Sequence, residues 1–327
     1  MPHEPTTAAG TGRAMNGGLL LALLLPPLLW GSNAIVGKMA AGLIPPVTLN
    51  TLRWLMALAV LLPFVLRRVA RHRAAVRAEW RAIVIGGFWG ITCYNALQYL
   101  ALTTSNPINT SLIGSSAPVF ILLLGRVLFG APIGARSACG AALSVVGVAW
   151  VMLGGRLDGL DAIHFVRGDL FMLAGTCAWS LYTWLLKRHP TRLPTDVLLA
   201  AQIVAGLAWS VPFVLAEHAW GGYAPMAIDG KTAAIVAYIG IFPSLVAFFC
   251  WQTAVARTSP QLPIFFMNLT PIFTVLLSVL LLGVAPQPYH AVGLALILGG
   301  IFLARPRPAA GQPLAKHTAA SPPRAPR

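Results

Sequence analysis

The stretch Ser115–Val148, SSAPVFILLLGRVLFGAPIGARSACGAALSVVGV, occurs a second time, diverged, at Asn268–Gly300. At a constant offset of 153 residues Pro107 falls on Pro260, Pro118 on Pro271, Gly130 on Gly283, Gly140 on Gly293 and Gly147 on Gly300. Earlier in the chain the offset is 149, and there Trp30 falls on Trp179, Lys38 on Lys187, Pro45 on Pro194 and Pro63 on Pro212. The change of 4 residues between the offsets is what one loop insertion leaves. Nine coincidences at only two offsets make the chain two halves of one ancestral unit, so the fold has to be assembled from two like parts.

Each part is made of apolar runs of about 20 residues, the length that crosses ~30 Å of hydrocarbon. The runs cover residues 18–39, 47–66, 82–103, 107–129, 135–153, 168–187, 195–215, 232–254, 259–282 and 288–304. Of the 327 residues 57% are hydrophobic and 9% charged, against roughly 25% charged in a soluble domain. The expectation is an all-α polytopic membrane protein with ten transmembrane helices, arranged as five-helix repeats at 18–153 and 168–304. The spans and short loops use up the chain and leave no length for a sizeable soluble domain. The run from Gly18 resembles a signal peptide after Arg13, but its apolar stretch continues to Met39, so it reads as the first span. Residues 1–17, polar with Pro and Thr, and the basic Pro/Ala-rich tail 305–327 are expected to be disordered.

The formal charge of +15 does not point to nucleic acid, because the basic residues lie mainly in short loops and the tail. Ten spans put both termini on one side. That side collects Arg13, Arg67, Arg68, Arg71, Arg73, Arg77, Arg81, Arg136, Lys187, Arg188, Arg192, Arg257 and five cations of the tail. The other side holds Arg156, Arg167 and Lys231. Cations accumulate in cytoplasmic loops, so both termini are expected in the cytoplasm. An odd number of spans per repeat inserts the second copy the opposite way up. Inverted repeats of this kind are a mark of secondary transporters, which expose a central site to each side in turn.

WGSNAIVGK at 30–38, LRWLMA at 52–57, APVFILLL at 117–124 with Gly140 and Gly147, and TPIFTVLL at 270–277 with Gly293 and Gly300 resemble the EamA-type drug/metabolite transporter superfamily. The likeness runs from residue 18 to 304 and rests on the order and duplication of these motifs. It implies a ten-helix bundle in a bacterial inner membrane that exports small metabolites or toxic compounds. Members often carry a Glu after the Gly that ends the fourth and ninth helices. Here those positions are Ala131 and Val284, so no role can be carried over to that Glu.

On the third span Asn95, Gln98, Tyr99 and Leu102 recur at i, i+3, i+4 and i+7 and share a face. Amide and phenol groups cannot face hydrocarbon unsatisfied, so this face points into the bundle. It reads either as a substrate-binding lining or as interhelical polar contacts of about 1 kcal/mol each. The inverted partners on the eighth span are Phe248, Trp251 and Gln252, and the two faces together suggest an amphipathic pocket. Pro118 and Pro271 sit inside spans and read as helix kinks, with Ser115, Ser116, Asn268 and Thr270 beside them as ligand or backbone contacts. Asn33 on the first span is a further substrate-binding candidate. Trp30 and Trp179 read as interfacial anchors. Gly86-x-x-x-Gly90 reads as close helix packing.

Arg53 lies about two turns, roughly 10 Å, into the second span, and a charge there marks a functional site by default. Lys38, at the outer end of the first span, is the other candidate charge in the pathway, against the alternative of an interfacial lysine. Arg126 reads as snorkelling. The acids are Glu4, Glu79, Asp158, Asp161, Asp169, Asp196, Glu217 and Asp229, all in loops or at span ends. With no carboxylate or His in the middle of a span, the expectation is either facilitated diffusion or a coupling that the sequence does not display. Cys93, Cys139, Cys177 and Cys250 form no C-x-x-C pair and read as packing residues. No metal, cofactor or catalytic set is indicated, so the chain does not read as an enzyme, and a channel or sensor is the remaining different class. The expected partners are a small-molecule substrate and the lipid bilayer; the oligomeric state stays open. Within transport, a nucleotide-sugar or sugar-phosphate exchanger is the alternative, disfavoured because such substrates need several cationic contacts.

Overall fold

The computed structural model of the protein describes residues 17–130, 132–156, 166–189, 191–257, 263 and 266–304. The two termini expected to be disordered lie outside these residues, apart from Gly17, which opens the first helix. Ala131 and the side chain of Gln252 also lie outside them. Every regular element among the described residues is helical.

In the first half α1 is Gly17–Ala40, α2 Pro46–Arg71, α3 the short Arg73–Ala78 and α4 Trp80–Gly86. A π-helical segment, Gly87–Cys93, joins α4 to α5, Tyr94–Thr104. Then come α6 Pro107–Ser115, α7 Ala117–Phe129 and α8 Ala135–Met152. The second half has α9 Arg167–Arg188, α10 Thr195–Trp220 and α11 Gly230–Ile241. A π-helical segment at Phe242–Val246 leads into α12, Ala247–Arg257. The last two are α13 Thr270–Leu282 and α14 Pro288–Ala304.

The two sequence offsets reappear as element boundaries. Both ends of α2 moved by 149 land on the ends of α10, and both ends of α5 and α7 moved by 153 land on those of α12 and α13. The local causes are duplicated too. Pro45 and Pro194 precede α2 and α10 with φ −56° at both and ψ 137° and 145°. Gly130 and Gly283 end α7 and α13 at φ 65°, the left-handed conformation that stops a helix and that glycine adopts without a Cβ clash.

Pro118 and Pro271 do not kink continuous helices. Each is the second residue of a fresh helix, where the missing N–H has no intrahelical partner to lose. The chain breaks before Pro118 at Ser116 (φ −79°, ψ 0°), and α6 and α7 meet at 43°.

Five helical segments, Gly17–Ala40, Pro46–Arg71, Ala135–Met152, Thr195–Trp220 and Gly230–Trp251, are long and apolar enough by themselves to cross a bilayer. The α6–α7 pair makes a sixth if counted as one span. The ten spans of the sequence reading are therefore not all matched by length and apolarity. The shortfall has a physical cause. The segment 80–104 carries Arg81, Asn95 and Gln98, and α9 carries Asp169, Thr176, Ser180 and Thr183, which lower their mean hydropathy. Several of these polar groups are buried, Asp169, Thr176 and Ser180 to 1% exposure or less.

Outside and inside are inverted relative to a water-soluble protein. Phe64, Val127, Leu280, Leu215 and Phe302 are 65–79% exposed, while Asn50, Ser144, Thr274 and Ser278 have no exposure. A bilayer demands this arrangement, since hydrocarbon accepts apolar side chains and offers polar ones no partner.

The halves are interleaved. α1 packs on α12 and α13 of the second half, and α9 packs on α5 and α7 of the first. Along one seam α8 crosses α14, where Ser144 Oγ donates to the Ile297 carbonyl at 3.0 Å; these two residues occupy equivalent positions, 153 apart. The close approach is made by Gly140, Gly147, Gly293 and Gly300, each lying against the facing helix. Along the other seam α2 lies beside α10. Glu217 at the end of α10 accepts the Val47 and Thr48 N–H groups at the start of α2 (2.7 and 2.8 Å). At the opposite end Arg68 of α2 pairs with Asp196 of α10 at 2.6 Å. Glu217 and Arg68 are themselves equivalent positions. At the start of α11, Asp229 and Thr232 form a reciprocal capping box, and the Thr232 N–H holds the Asp229 carboxyl below its usual range.

Candidate functional site

The π-helical segments prepare the centre of the bundle. A π turn shifts the backbone ladder by one residue and presents carbonyls to side chains five positions on. Asn95 Nδ2 donates to the Gly90 carbonyl at 3.1 Å, and Ser244 Oγ donates to the Ile239 carbonyl at 2.9 Å. Those two bonds use donors, and leave Asn95 Oδ1 and a lone pair of Ser244 Oγ to accept from Arg53 of α2.

Arg53 is 4% exposed. Its Nε donates to Ser244 Oγ at 2.6 Å, and one terminal nitrogen donates to Asn95 Oδ1 at 2.7 Å and to the Tyr99 hydroxyl at 3.1 Å. The Tyr99 hydroxyl donates onward to Asn33 Oδ1 at 2.8 Å, and Asn33 Nδ2 donates to Gln98 Oε1 at 3.0 Å. The guanidinium carbon lies 4.8 Å from the centroid of the Trp54 ring. Among the described residues Arg53 has no carboxylate partner. Beside it on α2, Asn50 Oδ1 and Trp54 Nε1 are buried with no hydrogen-bond partner among the described residues.

Of the residues singled out in the sequence, this network gathers Asn33, Arg53, Asn95, Gln98 and Tyr99. It does not gather the others. Trp251 stands against Trp30, ring centroids 5.9 Å apart, with Trp30 Nε1 donating to the Pro243 carbonyl. Trp30 is thus a packed core contact and not an interfacial anchor. Phe248 packs on the apolar cluster around Trp54, Leu61 and Leu199. Ser115 Oγ bonds back to the Ser111 carbonyl in its own helix, so it contributes no free hydroxyl here. Asn268 lies half-buried in the turn before α13. Lys38 Nζ donates to the carbonyls of Leu102 and Ser105 at 2.9 and 2.8 Å. It caps the C-terminal end of α5, where a cation suits the helix dipole, and does not reach the Arg53 network.

The equivalents of Asn33 and Arg53 in the second half are Tyr182 and Gln202. They bond to each other at 3.0 Å and line a surface pocket with Glu79, Gly86 and His189. The buried cation of the first half therefore has no charged counterpart at the equivalent position of the second. Gly90 lies against the Tyr182 ring and Gly87 against the α10 backbone, so the glycines of this segment serve close packing, as their spacing suggested.

Sequence reasoning missed Ser244, which needed the π turn to be seen, and Asn50, a lone amide in an apolar run. It also placed every acid in loops or at span ends without foreseeing burial. Asp169 and Glu217 are 1% and 7% exposed, and His290 in the first turn of α14 is 5% exposed.

The EamA-like transporter family matches residues 17–153 and again 166–305. An "Uncharacterized transporter" of Archaeoglobus fulgidus is 26% identical over 88% of this chain and 98% of its own length. An "Aromatic amino acid exporter YddG" of Ancylobacter novellus is 28% identical over 85% of this chain and 93% of its own. A crystal structure superposes on this chain with a TM-score of 0.59 at 26% identity, covering 88% of this chain and 96% of that one. Two matches of one family, falling on the two halves read from the sequence and together spanning most of the residues, leave one assignment: the chain belongs to the EamA-like transporter family.

Proposed function

We propose that this transporter exports small amphipathic, amino-acid-like metabolites, and that Arg53 holds the carboxylate of the substrate. The observation that carries this is a buried guanidinium that, among the described residues, meets only neutral acceptors. Burying a cation is strongly unfavourable unless an anion compensates it. The bonds to Ser244, Asn95 and Tyr99 use three of the five guanidinium donors and cancel none of the charge. A monocarboxylate supplies the missing charge and takes the remaining donors. Trp54 beside Arg53 offers an aromatic wall, and Asn50 Oδ1 offers an acceptor that suits an ammonium group. A single cation does not suit a nucleotide sugar or a sugar phosphate. The printed name of the 28% identical relative, an aromatic amino acid exporter, supports the same class.

In this reading the chain forms ten transmembrane helices in a bacterial inner membrane with both termini in the cytoplasm. The first repeat spans 18–153 and the inverted second repeat 168–304. The lysine and arginine bias between loops supports that orientation. Alternating access comes from rocking two bundles, each a half with α1 and α9 exchanged, against one another along the α2–α10 and α8–α14 seams.

Metabolite profiling of the growth medium tests the reading. Cells expressing the wild type are compared with cells expressing Arg53→Gln or Arg53→Lys at matched membrane levels. Carboxylate-bearing compounds should accumulate outside with the wild type. Arg53→Gln should lower that export by about tenfold or more, the scale of one lost charge-assisted contact of ~1.5–3 kcal/mol. Arg53→Lys, which keeps charge but not the fork, should fall between. Undiminished export by Arg53→Gln would overturn the role of Arg53.

A further inference from the structure

A second polar cluster lies away from the Arg53 network, at the end of the bundle that carries Lys38. It joins α5, α6, α9 and α14. Asp169, in the first turn of α9, accepts a hydrogen bond from Ser105 Oγ at one carboxylate oxygen. Its other oxygen accepts from Asn109 Nδ2 of α6 at 3.4 Å. Asn109 Oδ1 in turn lies 2.9 Å from His290 Nε2 of α14. The remaining ring nitrogen, His290 Nδ1, accepts the Gln287 N–H at 2.7 Å, while the His290 N–H donates to the Gln287 carbonyl at 2.9 Å. Asp169, Asn109 and His290 are all buried, at 1%, 6% and 5% exposure.

The donors and acceptors admit one protonation pattern. Backbone N–H occupies Nδ1, so Nδ1 is a bare acceptor and the ring proton sits on Nε2, donated to Asn109 Oδ1. Asn109 then passes its amide protons toward Asp169, which accepts from two sides as a carboxylate. His290 is neutral here, and it does the work of the third residue in a capping box by taking the N–H of the residue before α14.

We propose that the Asp169–Asn109–His290 cluster is a proton-binding site that latches this end of the bundle and releases it when His290 is protonated. The incoming proton adds to the lone pair of Nδ1 and leaves from the same atom; only an N–H bond forms or breaks. The Asp169 charge, one amide away, favours the imidazolium. The Gln287 N–H opposes it, because two donors cannot face each other. Proton binding therefore pulls His290 off Gln287 and undoes the start of α14, which packs on α6 and, through Asn109, closes on the α6–α9 contact at this end. Loss of the neutral ring follows falling pH, so the latch is closed while His290 is neutral and opens as the ring takes up its proton.

The other charged and titratable groups around the cluster do not replace this role. Lys38 of α1 spends its ammonium on the Leu102 and Ser105 carbonyls. Tyr289 of α14 is half-buried beside the His290 ring, centroids 4.0 Å apart, and reaches Asn106 and Asn109. Arg156 and Arg167 are exposed. A transporter with this latch responds to the pH on one face even though no acid lies mid-span. It is a coupling of the kind that the sequence left open without displaying. The latch does not depend on the Arg53 reading, and its test needs no substrate.

The test uses the full chain in nanodiscs with the native cysteines replaced by alanine. One reporter is Ala101→Cys, fully buried in α5 where it lies against α9. A separate reference is Ile228→Cys, 93% exposed. Maleimide labelling rates are measured from pH 8 to pH 5.5, and the ratio of reporter to reference removes the ordinary pH dependence of thiols. The ratio should rise about tenfold as pH falls through the imidazole range. His290→Gln should flatten the response. Gln287→Pro removes the opposing N–H at a position already held extended by Pro288, leaves no donor for the imidazolium to meet, and should also flatten the response. Asp169→Asn should move it lower. A ratio in the wild-type background that is constant with pH overturns the proposal whatever the variants do. So does a Gln287→Pro response as large as that of the wild type, which stays decisive if His290→Gln fails to fold.

Discussion

At the first turn of α2 the backbone has no cap of its own. Pro45 carries no acceptor side chain, and the N–H groups of Val47 and Thr48 point at Glu217 from the far half of the chain. The Thr48 hydroxyl donates to the same carboxylate at 2.8 Å. A carboxylate at a helix N-terminus gains from the helix dipole as well as from its bonds. Glu217→Ala strands these donors, and each buried unsatisfied donor costs about 1–3 kcal/mol. We expect a clearly lowered unfolding temperature for Glu217→Ala in detergent and a smaller drop for Glu217→Gln, which keeps an acceptor. If both melt with the wild type, the carboxylate contributes nothing to stability. At this scale the site was partly legible in the sequence. Asn33, Arg53, Asn95, Gln98 and Tyr99 stood out because polar groups deep in apolar runs must find partners inside. Ser115 stood out for the same reason and is spent on its own helix. Glu217, Asp169 and His290 did not stand out, because at a span end water is an equally good partner and only packing removes it.

Among the elements, the crossing of α8 and α14 is set by glycines rather than by large side chains. A Cβ on Gly300 would overlap Ser144 and the Gly140 carbonyl, and backbone atoms cannot turn aside. A Cβ on Gly134 meets nothing within 4 Å. Gly300→Val should therefore destabilise by roughly 1–3 kcal/mol or more, the scale of overpacking a tight contact, while Gly134→Ala should melt as the wild type does. Equal melting of the two would remove the glycine seam as a determinant. The helix boundaries were legible in Pro45, Pro194, Gly130 and Gly283, residues whose backbone preferences act locally. The π segments were not, since nothing in GFWGITC or FPSLV distinguishes a π turn from an α turn until neighbouring helices bond to the displaced carbonyls. Pro118 and Pro271 show the converse: their rule was read correctly, but the helix they were thought to bend begins with them.

For the whole molecule, the inverted repeat has a consequence that fusion reporters can check. A reporter that is active only in the cytoplasm should work when attached after Arg327 and fail when placed in the segment between α10 and α11, and a periplasmic reporter should do the opposite. Equal activity at both places would contradict the proposed arrangement of the spans. The sequence by itself determined that the chain is a duplicated helical membrane transporter. That information lies in periodicity, run length and backbone preference, which need only neighbours along the chain. The tertiary structure alone decided that α1 and α9 are exchanged between the halves. It also decided that Arg53 meets Ser244 from 191 residues away and that Asp169, Asn109 and His290 close on one another. Those contacts depend on which faces of distant helices meet, and side chains that look alike in sequence acquire different roles only when packing takes their water away.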